Sequence, residues 1–335
     1  MTSVLVSLRG GDDRPAALVA AAANPPEDVP AALALAREVG ASRPTPGDGS
    51  TLDQWELLAN LAAHDLGVAR AVEPHLDAVA ILVQAGWQTV EGTWGVFAAE
   101  GGPDPLLAES DGQRWTLNGT KPWCSLAGRL DSALITARTG TGPQLFAVDL
   151  AQPGVQVVED AWRARGLVEI PSGPVRFTEV EAVSVGEADW YLTRPGFWWG
   201  AIGVAACWFG GAVGIARTVL GAAQRSANPH LLAHLGAIDV LLHTCRTALA
   251  DAAARVDARE PDARLLAKRV RGMVARSCEE TIARAGHALG PAPLATDRAH
   301  AKRVADLQLY IRQHHAERDD AALGELLTTR DDAPW

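Results

Sequence analysis

The sequence predicts a mostly α-helical protein with a central β-domain, and three observations carry that prediction. Ala- and Leu-rich stretches at helical spacing fill residues 13–40 and 51–86. From Gly92 to about Val185 the texture changes to short β-type runs, spaced near ten residues, with Gly, Pro and Asp at the joints. From Gly196 onward four long helical segments follow, with short breaks between them. The expected divisions are an N-terminal helical domain over 1–91, a middle β-barrel domain over 92–189 and a C-terminal four-helix bundle over 190–335.

In order along the chain, the Pro/Gly segment from Arg43 to Ser50 separates the two N-terminal helical stretches. Thr51 and Asp53 supply capping side chains for the second. Trp55, Leu58, Leu61, Ala62, Leu66, Val68 and Ala69 make its apolar face, which His75, Leu76, Ala78, Val79 and Leu82 continue in a following helix. Pro74 is expected near the start of that helix, where its missing N–H costs little. Candidate strands are Trp94–Ala98, Arg114–Leu117, Ser132–Ala137, Gln144–Val148, Val155–Val158 and Gly173–Phe177. Asn118-Gly119 reads as a tight hairpin turn, because both residues accept the positive φ such a turn needs. The four C-terminal helices are expected at Gly196–Ser226, Leu231–Arg259, Ala263–Leu289 and Asp297–Leu327.

Composition narrows the function classes. The chain has 335 residues, 48% hydrophobic and 21% charged, with formal net charge −10. No Lys/Arg block stands out, so nucleic acid is not an expected partner. Four scattered cysteines (Cys124, Cys207, Cys245, Cys278) form no C-x-x-C pair and suit a reducing cytoplasm. The first ten residues lack the basic start and apolar core of a signal peptide. The apolar run Ala201–Leu220 holds Gly203, Gly210, Gly211 and Gly214, which suits close packing in a protein core, so no membrane association is expected. The histidines show no H-x-x-H or H-E-x-x-H spacing, and no metal site is expected. A dinucleotide-binding G-x-G-x-x-G after a strand and a phosphate-binding P-loop are both missing.

Chemistry concentrates around Trp115, Trp123, Cys124 and Ser125. An indole beside a hydroxyl offers a wall to stack on and a hydrogen bond at one edge, which is what a flavin ring requires. An ordinary hairpin with a core tryptophan fits the same residues. The aromatic cluster Trp190, Tyr191, Phe197, Trp198, Trp199, Trp208 and Phe209 reads as packing at a domain junction, or as a lined pocket.

From about Trp55 to Gly324 the chain resembles the acyl-CoA dehydrogenase superfamily. The carrying motif is Leu117-Asn118-Gly119-Thr120-Lys121-Pro122-Trp123-Cys124-Ser125, together with the order helices, β-domain, bundle. The resemblance implies FAD, with Trp123 against the flavin and Ser125 at its polar edge. It implies further cofactor contacts from Glu100, in a loop where Ala99 replaces a hydroxyl residue, from Arg225 toward the pyrophosphate, and from the Gly286–Gly290 turn. As a helix-terminal feature, each of Arg225, Gly286 and Gly290 also has a purely structural reading.

In relatives a Glu abstracts the substrate α-proton. Its usual stations fall here at Arg312 and near Val204, and neither can act as a base. His314 and His315 follow Arg312, and a histidine near this position serves flavin monooxygenases of the same superfamily. A solvated helix face carrying Arg312, Glu317, Arg318 and Asp319 accounts for them equally. The resemblance thus implies a flavin-dependent oxidoreductase that moves hydride from a CoA- or carrier-linked acyl group to FAD, as a homodimer or homotetramer. The alternatives are a monooxygenase using His314 or His315, and a non-catalytic subunit paired with an active relative.

Overall fold

The structure, a computed structural model, describes residues 5–9, 20, 23–226 and 228–330. Part of the helical stretch expected over 13–40 therefore lies outside the described residues; within them it contains α1, Val29–Gly40. Two further helices follow, α2 (Thr51–His64) and α3 (Leu66–Gln84). They separate at Asp65, whose carboxylate accepts from the backbone N–H groups of Gly67 and Val68 and so caps α3. Because the cap starts α3 at Leu66, Pro74 falls inside the helix rather than near its start. With no N–H, Pro74 cannot bond the carbonyl of Arg70 one turn earlier.

Seven strands follow: β1 (Trp94–Phe97), β2 (Leu107–Ser110), β3 (Trp115–Lys121), β4 (Ser132–Thr139), β5 (Gly142–Asp149), β6 (Val155–Val157) and β7 (Val175–Val185). Pairings β4–β2, β2–β3, β3–β7, β7–β5 and β5–β4 close a barrel, with β1 added to β4 and β6 to β7. Phe97, Leu117, Ile135, Phe146, Val175, Phe177 and Val180 fill its interior. Its outer wall at Leu134, Leu145, Ala147 and Val185 packs on Ala78, Ile81 and Leu82 of α3. β4 is thus covered on both faces, which explains its unbroken apolar run.

Asn118-Gly119 is not a hairpin turn. It lies inside β3 at a register shift against β7, with Gly119 at φ +122. A Cβ there would crowd the Pro105 carbonyl within 3.1 Å of its carbon, so close approach of another backbone selects glycine here.

The C-terminal half contains a short α4 (Trp190–Thr193), then α5 (Pro195–Arg225), α6 (Pro229–Asp257), α7 (Ala263–Leu289), a short α8 (Ala292–Thr296), α9 (Arg298–Tyr310) and α10 (Glu317–Thr328). The fourth expected helix is broken. A 3-10 turn at Ile311–Gln313 and an extended His314 end α9, and Ala316 takes φ +42. Two local bonds stabilise the break: Ala316 N–H donates to His314 Nδ1 (3.3 Å), and His315 N–H to Asp319 Oδ2 (2.8 Å). The two histidines therefore do not share a helix. α5 is long and apolar enough to cross a membrane, but 78% of its most apolar window is buried inside the protein. Gly210 and Gly214 let α2 approach closely; a Cβ at Gly214 would lie 2.8 Å from the Ala63 carbonyl oxygen.

Candidate functional site

The loop after β3, residues 122–130, sends Trp123 and Ser125, two residues apart, to opposite environments. Trp123 sits in the left-handed region at φ +60, and its indole is 59% exposed. Trp162 meets it edge-on with ring centroids 6.2 Å apart. The loop is fixed on a second one, since Cys124 N–H donates to the Gly173 carbonyl (3.0 Å) and Leu126 N–H to that of Pro171 (2.8 Å). Ser125 is buried. Its hydroxyl accepts from Arg70 Nη2 (2.9 Å) and lies 2.7 Å from Ser172 Oγ, which itself donates to the Ile170 carbonyl.

Arg70 connects this loop to a buried charged seam. On α3, Arg70, Glu73 and Asp77 recur at helical spacing. Arg70 lies 3.2 Å from Glu73, and its guanidinium stands over the Tyr310 ring at 5.5 Å. Tyr310 donates to Glu73 Oε2 at 3.4 Å. Arg194 faces Asp77 at 3.9 Å, and Gly200 leaves room for Asp77, since a Cβ there would sit 2.7 Å from Oδ1. Arg271 lies over the Trp208 ring at 4.6 Å and donates to the carbonyls of Ala201 (2.6 Å) and Gln313 (3.2 Å).

Burial governs the titration of these groups. Loss of solvent pushes Glu73 up to about 7, against the pull of Arg70, with Asp77 adding to the rise. Burial raises the Asp77 carboxyl as well, although Arg194 and Arg70 oppose it. Burial lowers Arg271 to about 10, and burial with Glu73 nearby raises Tyr310. Among the described residues, the fully buried Trp208 Nε1 has no hydrogen-bond acceptor.

The structure brings Trp123 and Ser125 into one loop and leaves other candidates elsewhere. Cys124 faces the barrel core, where burial raises its thiol to about 12 and Sγ lies 3.2 Å from the Lys121 carbonyl. Glu100 accepts from the buried Lys121 ammonium (2.8 Å) and Thr136 (3.1 Å), and lines a cavity of about 340 Å³ with Arg138 and Leu192. Arg225 is exposed at the end of α5. Gly290, at φ +67, ends α7 by donating to the Gly286 carbonyl at 2.9 Å, and a Cβ at either glycine would meet open space. Arg312 is exposed and pairs with Glu279. His314 is buried near Gly272, and burial lowers its pKa. His315 is exposed, 3.6 Å from Asp319. The aromatic cluster packs edge-to-face at the junction, through Tyr191–Phe197, Phe197–Trp198 and Trp208–Tyr310.

Arg70, Glu73 and Asp77 escaped the sequence reading, although three charged residues on the inward face of an otherwise apolar helix were the available signal. Asp65, Glu169 and Asp306 form an acidic trio that converges on the Lys302 ammonium at 2.6–2.9 Å.

Residues 101–180 match the family model for the acyl-CoA dehydrogenase middle domain. A 99-residue stretch is 37% identical to acyl-CoA dehydrogenase IpdE1 of Mycobacterium tuberculosis; the match covers 28% of this chain and spans 24% of that curated relative's length. Butyryl-CoA dehydrogenase from Megasphaera elsdenii superposes with TM-score 0.74 at 15% identity, over 91% of this chain and 99% of that one. TdsC from Paenibacillus sp. A11-2, solved with FMN and indole, gives 0.75 at 18% identity over 90% of each chain. KijD3, solved with FMN and a dTDP-linked amino sugar, gives 0.75 at 18% identity over 96% and 97%.

The chain therefore has the acyl-CoA dehydrogenase fold. Its central region carries the middle domain of that family, and the resemblance to the acyl-CoA dehydrogenase superfamily stands.

Proposed function

We propose that the protein is a flavin-dependent oxidoreductase that accepts hydride from a CoA- or carrier-linked acyl group. The carrying observation is the exposed Trp123 indole, two residues before the buried Ser125 hydroxyl in the same loop. An apolar face of that size left in water is a ready bed for a planar ring. The cofactor we assign is FAD, which when bound supplies a two-electron acceptor. Trp123 would stack on the ring, and Ser125 would bond its polar edge. Arg225, exposed at the end of α5, would meet a pyrophosphate presented by a second copy in a homodimer or homotetramer. Cytoplasmic residence suits the buried, unpaired thiols.

The test is direct. Purified protein should be yellow, acid-released cofactor should have the mass of FAD rather than FMN, and anaerobic acyl-CoA should bleach the colour. Protein that stays colourless after incubation with FAD and FMN would overturn the reading.

A second reading rests on His314, buried at the helix break, where loss of solvent lowers its pKa and favours the neutral over the charged ring. That state suits a flavin monooxygenase, and a structure of TdsC is described as a dibenzothiophene monooxygenase. Oxygen uptake that requires reduced flavin and an aromatic substrate would favour it. A third, the non-catalytic subunit, draws support from Arg312 at the usual catalytic station; co-purification of a flavin-loaded relative with a colourless chain would favour that one.

A further inference from the structure

We propose that a cavity at the start of α5, lined by Arg194, Trp190 and Trp199, binds a small organic carboxylate with a flat apolar body. It shares no lining residue with the loop at 122–130 and stands independently of the flavin reading.

The cavity measures about 370 Å³, and small-molecule pockets run from about 300 to 1,000 Å³. Three segments close around it: the loop 43–50, the end of α3 at Val83 and Gln84, and the junction of α4 with α5. Two glycines set its walls. Gly47, at φ +93, brings the loop onto the Trp199 ring, where a Cβ would sit 2.7 Å from a ring carbon. A Cβ at Gly196 would lie 2.3 Å from Arg194 Nη1, so glycine keeps the place of the guanidinium beside the first turn of α5.

Arg194 is the anchor. The residue is 5% exposed, yet its hydrogen bonding is incomplete. Nη1 donates to Gln84 Oε1 at 2.5 Å, while Nη2 stands 3.9 Å from Asp77, beyond hydrogen-bond reach. Buried Nε has no acceptor among the described residues. The guanidinium lies over the rings of Tyr191 (5.4 Å) and Trp190 (5.9 Å). Nε and Nη2 form one edge of the planar group, and a carboxylate meets such an edge with both oxygens.

Position adds a second pull. Arg194 is the N-cap of the 31-residue α5, and no side chain caps that terminus. An uncapped helix start presents N–H donors and the positive end of the helix dipole, and both favour an anion. The remaining lining sets the body of the ligand. Trp190, Trp199, Pro46 and Pro195 offer apolar surface that a ring would cover. At the rim, Arg259 already donates to Asp48 (2.7 Å) and to the Gly47 carbonyl (3.1 Å). The carboxylate is therefore assigned to Arg194, at the buried end.

The experiment titrates the full chain with phenylacetate and indole-3-acetate by isothermal titration calorimetry, beside phenylacetamide as the neutral match. The acids should bind, and the amide should bind about tenfold or more weakly, as loss of a charge-assisted pair requires. Arg194→Lys keeps the charge but loses the planar edge, and should weaken phenylacetate about tenfold or more. Val83→Trp, from a half-buried position on the lining, should fill the cavity and abolish binding while the cooperative melt persists. If either variant fails to fold, the other variant and the acid-to-amide ratio decide. Acids that do not bind at millimolar concentration, an amide that matches them, or wild-type affinity in a folded variant would overturn the proposal. Inorganic phosphate that competes as well as phenylacetate would overturn the role given to the rings. None of these readouts involves flavin, so failure here leaves the flavin reading standing.

Discussion

The loop at Trp123 and the seam beneath it solve opposite problems. Trp123 keeps much of a large apolar ring in water, on a backbone held at positive φ, with Trp162 edge-on against it. Joined to the same loop through Ser125, Arg70, Glu73, Asp77 and Arg271 are charged groups kept largely out of water, each matched to a partner. An unsatisfied apolar face and a satisfied buried ionic network both cost folding energy. The two features are joined along the chain through Ser125, which accepts from Arg70.

The largest effect that would break this comparison comes from Arg70→Met. It leaves Glu73 buried without its cation and removes the tie to Ser125. Destabilisation of roughly 3–5 kcal/mol is expected at pH 8, from denaturant unfolding. Below pH 6 the loss should shrink, since Glu73 can then take a proton. A pH-independent loss would mean that packing alone, not charge, holds the seam.

Glu73→Gln gives the next effect. A carboxyl whose folded-state pKa lies above its unfolded value holds its proton more tightly when folded. Its stabilising contribution is complete below about pH 4.5 and is lost as pH rises through about 7. Across that window wild type should weaken relative to Glu73→Gln by at most about 3 kcal/mol. His75 acts in the opposite sense: burial lowers it to about 4, with Trp94 N–H donating to Nδ1, so it favours the folded state as pH rises. Only the difference between variant and wild type isolates Glu73, and parallel pH–stability curves would show that it does not titrate there.

Trp123→Gly sharpens the other side of the comparison. Glycine accepts the positive φ at no steric cost, so stability should stay within about 1 kcal/mol of wild type. Flavin affinity should fall about tenfold or more, the value of one lost stacking surface. Unchanged affinity by fluorescence titration would remove Trp123 from the site.

Trp123 and Ser125 could be singled out in the sequence because their motif is contiguous, and the change from helical to β texture was legible because hydrophobic periodicity is local. Glu73 could not be. Glu73 meets Tyr310 across more than two hundred residues, and nothing in the spacing on α3 states which face turns toward Ser125. The Asn118-Gly119 error has a similar cause, because the same dipeptide serves a hairpin turn or a strand bulge, and only the partner at Pro105 decides. The broken last helix came from His314 and Asp319 bonding to nearby backbone, a competition that apolar spacing does not register.

The smallest effect concerns His315. Its ring is exposed, and the carboxylate beside it, Asp319, already accepts from the His315 backbone N–H and from Lys268 at 3.4 Å. Removing the ring in His315→Ala leaves both bonds in place, so stability should move by less than about 0.5 kcal/mol. Acyl-CoA bleaching should be unchanged too, because the exposed ring meets no partner other than Asp319 among the described residues. The same variant tests where the site ends. If reduced-flavin oxygen uptake falls on losing an exposed imidazole whose backbone contacts survive, the helix break takes part in the chemistry and the monooxygenase reading gains over the acyl-CoA one.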